Sequence, residues 1–166
     1  MTPTSVQTLS HSHAQQTFED TSRLADVVKL SDEDAAWLYP GHATAEVARR
    51  IFTLGVKFVA LTSGAHGPEL YSNSAHVYIP ALQFRAADTV GAGDSYMSPL
   101  IISLMKDPAR DFGQERLQRL GRTAKAAASI TVTRDGANPP TAAEIQAALA
   151  VSLVSCPHGP PEESPR

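Results

Sequence analysis

The chain has 166 residues, enough for one compact domain and not comfortably two. Being 42% hydrophobic and 19% charged, it can bury a core, which excludes wholesale disorder. Its formal net charge of -3, with 14 scattered Lys and Arg, excludes a nucleic-acid footprint or an anionic-membrane patch.

Residues 1–22 are expected to form a mobile lead-in. Met1 to about Glu19 are rich in Ser, Thr, Gln and His, with no period and no apolar segment of a secretory signal. His11 and His13 read as two solvated histidines, because a metal site needs more ligands held rigidly. Ala25 to Leu30 is a short β-branched run that suits a buried strand. Ser31 and Asp32 are N-cap candidates for a short helix ending near Tyr39-Pro40-Gly41, with Glu33 and Asp34 in its first turn. Thr44 is expected to cap a second helix with Val47, Ile51 and Leu54 on one face and Gly55 at its end. Val56 to Thr62 reads as a strand, followed by the turn Ser63-Gly64-Ala65-His66-Gly67 and a hairpin around Ser72-Asn73-Ser74. Helices are expected from near Gly91 to Met105, from Gln114 to Thr131, and from a Thr141 cap to Leu153. The order is that of an α/β fold. The tail 154–166 is Pro/Glu/Ser-rich and expected to be disordered. The lone Cys156 has no partner for a disulfide, and no Cys/His cluster has zinc spacing. No apolar run approaches the roughly 20 residues that span a bilayer, so a cytoplasmic protein is expected.

The informative stretch is Asp88-Thr89-Val90-Gly91-Ala92-Gly93-Asp94-Ser95. Two glycines flank an alanine just before an apolar helix, so the backbone can approach a ligand closely. The first amides of a helix lack internal partners and sit at the positive end of its dipole, which favours a phosphoryl group. A carboxylate inside such an anion pocket is out of place as a phosphate ligand. It makes sense as a general base taking the proton of an attacking hydroxyl. Gly91, Ala92 and Gly93 are then an anion hole and Asp94 the base. A plain helix start with Asp94 as a cap is the alternative. A P-loop and a Gly-x-Gly-x-x-Gly fingerprint are both absent.

These eight residues closely resemble the C-terminal signature of the ribokinase/PfkB family of sugar and nucleoside kinases. Val27 to Asp34 looks like the fructokinase-type form of the family's Asn-x-x-Glu region. Leu61 to Gly67 looks like its phosphate-contacting turn, and Ile130 to Pro140 like the loop near its adenine and monovalent-cation sites. The resemblance covers roughly Ala25 to Leu149 and places the kinase domain at 23–153. It implies the C-terminal half of a ribokinase-like three-layer α/β/α fold, with the N-terminal sugar-binding half and lid absent. It implies ATP, Mg2+ and K+ as cofactors. Thr62, Gly64, Gly67 and Asn138 would contact the nucleotide. Asp34 would organise magnesium through water. Asp88 and the carbonyls of Val90, Thr131, Arg134 and Gly136 would bind the monovalent cation. The sequence departs from the family in three places. Ser31 replaces the Asn and Asp34 the Glu of Asn-x-x-Glu, and Pro140 falls where some ribokinases use a serine hydroxyl.

Three readings follow. One is a fructokinase-like enzyme moving the ATP γ-phosphate to a sugar hydroxyl, with a homodimer or a partner chain covering the exposed sheet. Another is a truncated remnant that binds nucleotide without turnover. The last is a scaffold whose Gly-Ala-Gly turn binds nothing.

Overall fold

A computed structural model describes residues 10–80, 87–107 and 111–154, except the side chains of Ala65 and 152–154. The expected tail lies outside them from residue 155 onward. Contacts divide the chain into two compact units, residues 1–83 with 103–121 and residues 84–102 with 122–166.

In the first unit four strands form one sheet in the order β1-β2-β3-β4, comprising Val27–Ser31, Phe58–Thr62, Glu69–Ser72 and His76–Tyr78. β1 pairs parallel with β2, and β2, β3 and β4 pair antiparallel. The parallel pair needs a crossover, which the helices α2 (Asp32–Leu38) and α3 (Thr44–Thr53) supply. Alternation along the strands sends Val28, Leu30, Val59 and Leu61 to one face. There they pack with Ala35, Leu38, Val47, Ala48 and Ile51 of those two helices. The opposite face carries Phe58, stacked on Phe112 with ring centroids 5.3 Å apart, and Leu70. Both faces of β2 are therefore covered, which explains its nearly continuous apolar sequence. Gly121 is required on that second side, because a Cβ there would lie 2.8 Å from Leu70 Cδ1 and 2.9 Å from Ile79 Cγ1.

Three local expectations need correction. Residues His11–Ser22 form a helix, α1, where an irregular lead-in was expected. Its sequence is weakly amphipathic, but tertiary contacts stabilise it. Glu19 accepts from Tyr39 Oη at 3.2 Å and from Arg50 Nε at 3.0 Å. His11 is not merely solvated, since its Nε2 meets the Trp37 carbonyl at 2.6 Å. Thr44 does not cap α3 either. Ala43 is the N-cap, its amide donating to Glu46, and Thr44 Oγ1 donates instead to Glu69 at 3.3 Å.

The second unit contains the first turns of α4 (Ala92–Lys106), the last turns of α5 (Gln114–Val132) and α6 (Ala142–Val154). Its buried residues include Tyr96, Leu100, Ala124, Ala127 and Thr131. The Thr141 cap holds as expected: Thr141 and Glu144 exchange backbone and side-chain bonds at the start of α6. Lys125 is buried, its ammonium has no hydrogen-bond partner among the described residues, and desolvation pushes it down to about 8.

Candidate active site

In the first unit the parallel register sets Ser31 beside Thr62, so β1 and β2 end together. Ligands of α/β sheets gather beyond such carboxyl ends. The two following loops are tied to each other. Thr62 Oγ1 donates to the Leu30 carbonyl at 3.3 Å, and Ser63 Oγ donates to Asp32 Oδ2 at 2.5 Å. Asp34 closes a capping box on α2: its amide donates to Ser31 Oγ at 3.0 Å and its carboxylate accepts the Ser31 amide at 3.4 Å. The turn after β2 is a short 3-10 segment, Gly64–His66. Gly64 and Gly67 both have positive φ, 33° and 91°, conformations that a side chain would strain. Sequence reading assigned Asp32 only a capping role. Its bond to Ser63 has no local signal, because the two residues are 31 apart.

In the second unit the signature folds as a turn running into α4. Gly91 has φ 77°, and a Cβ on it would lie 2.9 Å from Ala137 Cβ, so both conformation and space demand glycine. Ala92, Gly93 and Asp94 are the first three residues of the helix. Asp94 is exposed, and among the described residues its carboxylate has no hydrogen-bond or ion-pair partner. Its backbone carbonyl accepts from Ser98 Oγ at 2.9 Å.

Asp88 staples this turn to the loop after α5. One carboxylate oxygen accepts the Val90 amide at 3.0 Å and the other the Gly136 amide at 3.1 Å. The Val90 amide is the main cause holding the Asp88 carboxyl below its ordinary range. The amides of Ala87 and Asp88 both donate to the Val132 carbonyl. Thr131 is fully buried, and its carbonyl accepts the Arg134 amide at 3.0 Å. Gly136, at φ 67°, accepts the Asn138 amide at 2.9 Å. Arg134 pairs with Glu144, which the amide and hydroxyl of Thr141, with Arg134, hold down at about 2. Asn138 is exposed. Asp88, Val90, Gly91, Thr131, Gly136 and Asn138 thus gather around two adjoining turns. Carbonyl and carboxylate oxygens are the donors a hard cation takes, and each carbonyl keeps a second lone pair, so this set fits a monovalent cation. Ser95 and Ala137, given no role from sequence, bear directly on this turn.

The helices, the mixed sheet and the likeness to solved structures show that the chain has a ribokinase-like α/β fold. The solved fructokinase with bound ATP from Xylella fastidiosa superposes with a TM-score of 0.77 at 22% identity, over 84% of this chain and 47% of that one. A double-mutant fructokinase from Vibrio cholerae O395, with fructose, ADP and potassium bound, gives 0.73 at 25% identity, over 81% and 44%. The pfkB family carbohydrate kinase pattern matches residues 2–144, and the chain belongs to that family. "Probable fructokinase-4" of Arabidopsis thaliana is 33% identical over 128 residues, 75% of this chain. The chain spans only 39% of that relative's length. Among the described residues, no helix is long and apolar enough to cross a membrane.

Proposed function

We propose that the chain carries the phosphoryl-transfer machinery of an ATP-dependent, fructokinase-like sugar kinase, with Asp94 as its general base. The observation that carries this reading is the uncommitted, exposed Asp94 carboxylate in the first turn of α4. An acid at that position ordinarily folds back onto the N-cap, and Asp34 does so on α2. Asp94 is left available to accept a proton from an attacking sugar hydroxyl. The amides of Gly91 and Gly93, joined by that of Ala92 once it leaves the Thr89 carbonyl to which it donates at 3.3 Å, stabilise charge on the transferring phosphoryl group. Thr62, Gly64 and Gly67 contact nucleotide phosphates, and Asn138 the nucleoside. Asp34 orders a magnesium ion through water. Magnesium, when bound, neutralises charge on the phosphate oxygens. Asp88 and the carbonyls of Val90, Thr131, Arg134 and Gly136 hold a potassium ion beside the anion hole.

The test is ADP formation with ATP, magnesium and a panel of ketoses and aldoses, comparing wild type with Asp94→Asn. Sugar-dependent turnover that falls at least a hundredfold in the variant supports the proposal. Equal turnover in both removes Asp94 as base.

A second reading is favoured by one fact, the 39% span of the relative. Sugar phosphorylation depends on positioning the acceptor and excluding water. These 166 residues by themselves then bind nucleotide without turnover, unless further chain, a second copy or a partner supplies those parts. Thermal stabilisation by ATP with no turnover on any sugar selects this reading. Failure to bind ATP or phosphate at all rejects both.

A further inference from the structure

The first turn of α4 is weakly held by its own ladder. Pro99 lies within the helix and has no N–H to return to the Ser95 carbonyl. The turn is instead fixed from the side. Ser95 points inward, buried, while its neighbour Asp94 points outward. Ser95 Oγ lies 2.7 Å from Thr131 Oγ1, and Thr131 Oγ1 lies 3.1 Å from the Ala127 carbonyl. Both hydroxyls are buried, and Thr131 has only one proton to give. Thr131 donates that proton to Ser95, with the Ala127 carbonyl as the competing acceptor. The Ser95 amide is also engaged, donating to the Gly91 carbonyl at 2.9 Å. Ser95 thereby ties the glycine turn to α5.

We propose that the Ser95–Thr131 hydroxyl pair is a positioning element that sets the rotation of the first turn of α4, and so the aim of the Asp94 carboxylate. It rests on the reading of Asp94 as base. The leverage is geometric. A side-chain end lies about 5–6 Å from a helix axis, so a rotation of about 10° moves it by about 1 Å. A misplacement of about 1 Å costs on the order of 100-fold in rate. Neither hydroxyl needs to touch substrate for this.

The experiment compares Thr131→Val, which keeps shape and removes the hydroxyl, with Ser95→Ala, Thr131→Ser and the double variant Ser95→Ala/Thr131→Val. Amide hydrogen exchange at Ser95 and Tyr96 is measured in each, with the β1 amides as an internal control. Exchange is expected to quicken about tenfold or more in Thr131→Val and Ser95→Ala, to stay unchanged in β1, and to recover in Thr131→Ser. Because the pair acts as a unit, the double variant should be no worse than the singles. In the phosphorylation assay, kcat should fall about 10- to 100-fold with the KM for ATP within threefold, again restored by Thr131→Ser. Unchanged exchange at Ser95 and Tyr96 in both single variants overturns the proposal, whatever the activity. So does a loss that Thr131→Ser fails to restore, or a change in KM alone. Should Thr131→Val fail to fold, Ser95→Ala decides by the same readouts. If Asp94→Asn turns over normally, the base reading fails, and exchange alone then judges the pair.

Discussion

The polar loops of the two units differ in what their carboxylates do. At the ends of β1 and β2 Asp32 is spent on Ser63 and Asp34 on Ser31. In the second unit Asp88 and Glu144 are spent likewise, on the amides of Val90 and Gly136 and on Thr141. Asp94 alone among these five holds nothing, although it sits where a capping bond would be natural. Satisfied carboxylates stiffen loops. Among the described residues the Asp94 carboxylate, at a helix start beside Gly91, is bound by none.

The sharpest way to break this contrast is to neutralise one acid of each kind. Asp94→Asn is expected to lower kcat by about 10²–10⁴-fold, the range of a general base, while leaving the melting temperature unchanged. Asp34→Asn is expected to weaken the α2 cap by about 1 kcal/mol, read by denaturant unfolding. Loss of stability without loss of rate in Asp94→Asn would erase the distinction. Next in size is Gly91→Ala. It forces a side chain into φ 77° and within 2.9 Å of Ala137 Cβ. Strain and overpacking together should cost about 2–4 kcal/mol, visible as a lower urea midpoint.

Much of the architecture was legible because the chain punctuates itself clearly. Ser31 with Asp34, Thr141 with Glu144, and Gly55 at the end of α3 mark boundaries by local chemistry that survives folding. The octapeptide told where the turn into α4 lies, since Gly91 is demanded by its own φ. Long-range partners were not legible. Helix α1 has a poor period and is fixed by Glu19 reaching Tyr39 and Arg50, 20 and 31 residues away. Thr44 has the composition of a cap, but Glu69 and Tyr71 draw its hydroxyl away. Ser95 looked like a neutral neighbour of Asp94 until Thr131, 36 residues on, arrived beside it.

A smaller effect sharpens the contrast from the side of positive charge. The Lys125 ammonium is buried without a hydrogen-bond partner among the described residues, so burial penalises its charged form. Lys125→Met is expected to stabilise by about 1–2 kcal/mol at pH 7, a rise of about 2–8 °C in melting temperature. The sign with pH follows from a folded value near 8 against an ordinary 10.5. Between those values the unfolded chain binds more protons, so wild-type stability rises with pH. The advantage of the methionine should shrink from pH 8 upward, and an advantage constant to pH 10 would show that the amine is not the cause.

Glu144 gives the mildest test, at the acid end. Its folded carboxyl sits at about 2 against an ordinary 4.5, held there first by the Thr141 amide, then by the Thr141 hydroxyl and Arg134. A depressed carboxyl contributes stability above its ordinary range and loses it as pH falls through the folded value. The wild-type melting temperature should therefore decline between pH 4.5 and 2 more steeply than that of Glu144→Gln, which keeps an acceptor for Thr141 but has no proton to gain. Above pH 4.5 the wild type should be the more stable of the two, by a small margin because Glu144 is partly exposed and its pair with Arg134 is screened, and the two should converge near pH 2. Parallel acid profiles would mean that the start of α6 is held by Thr141 alone, and that this carboxylate is as uncommitted as Asp94.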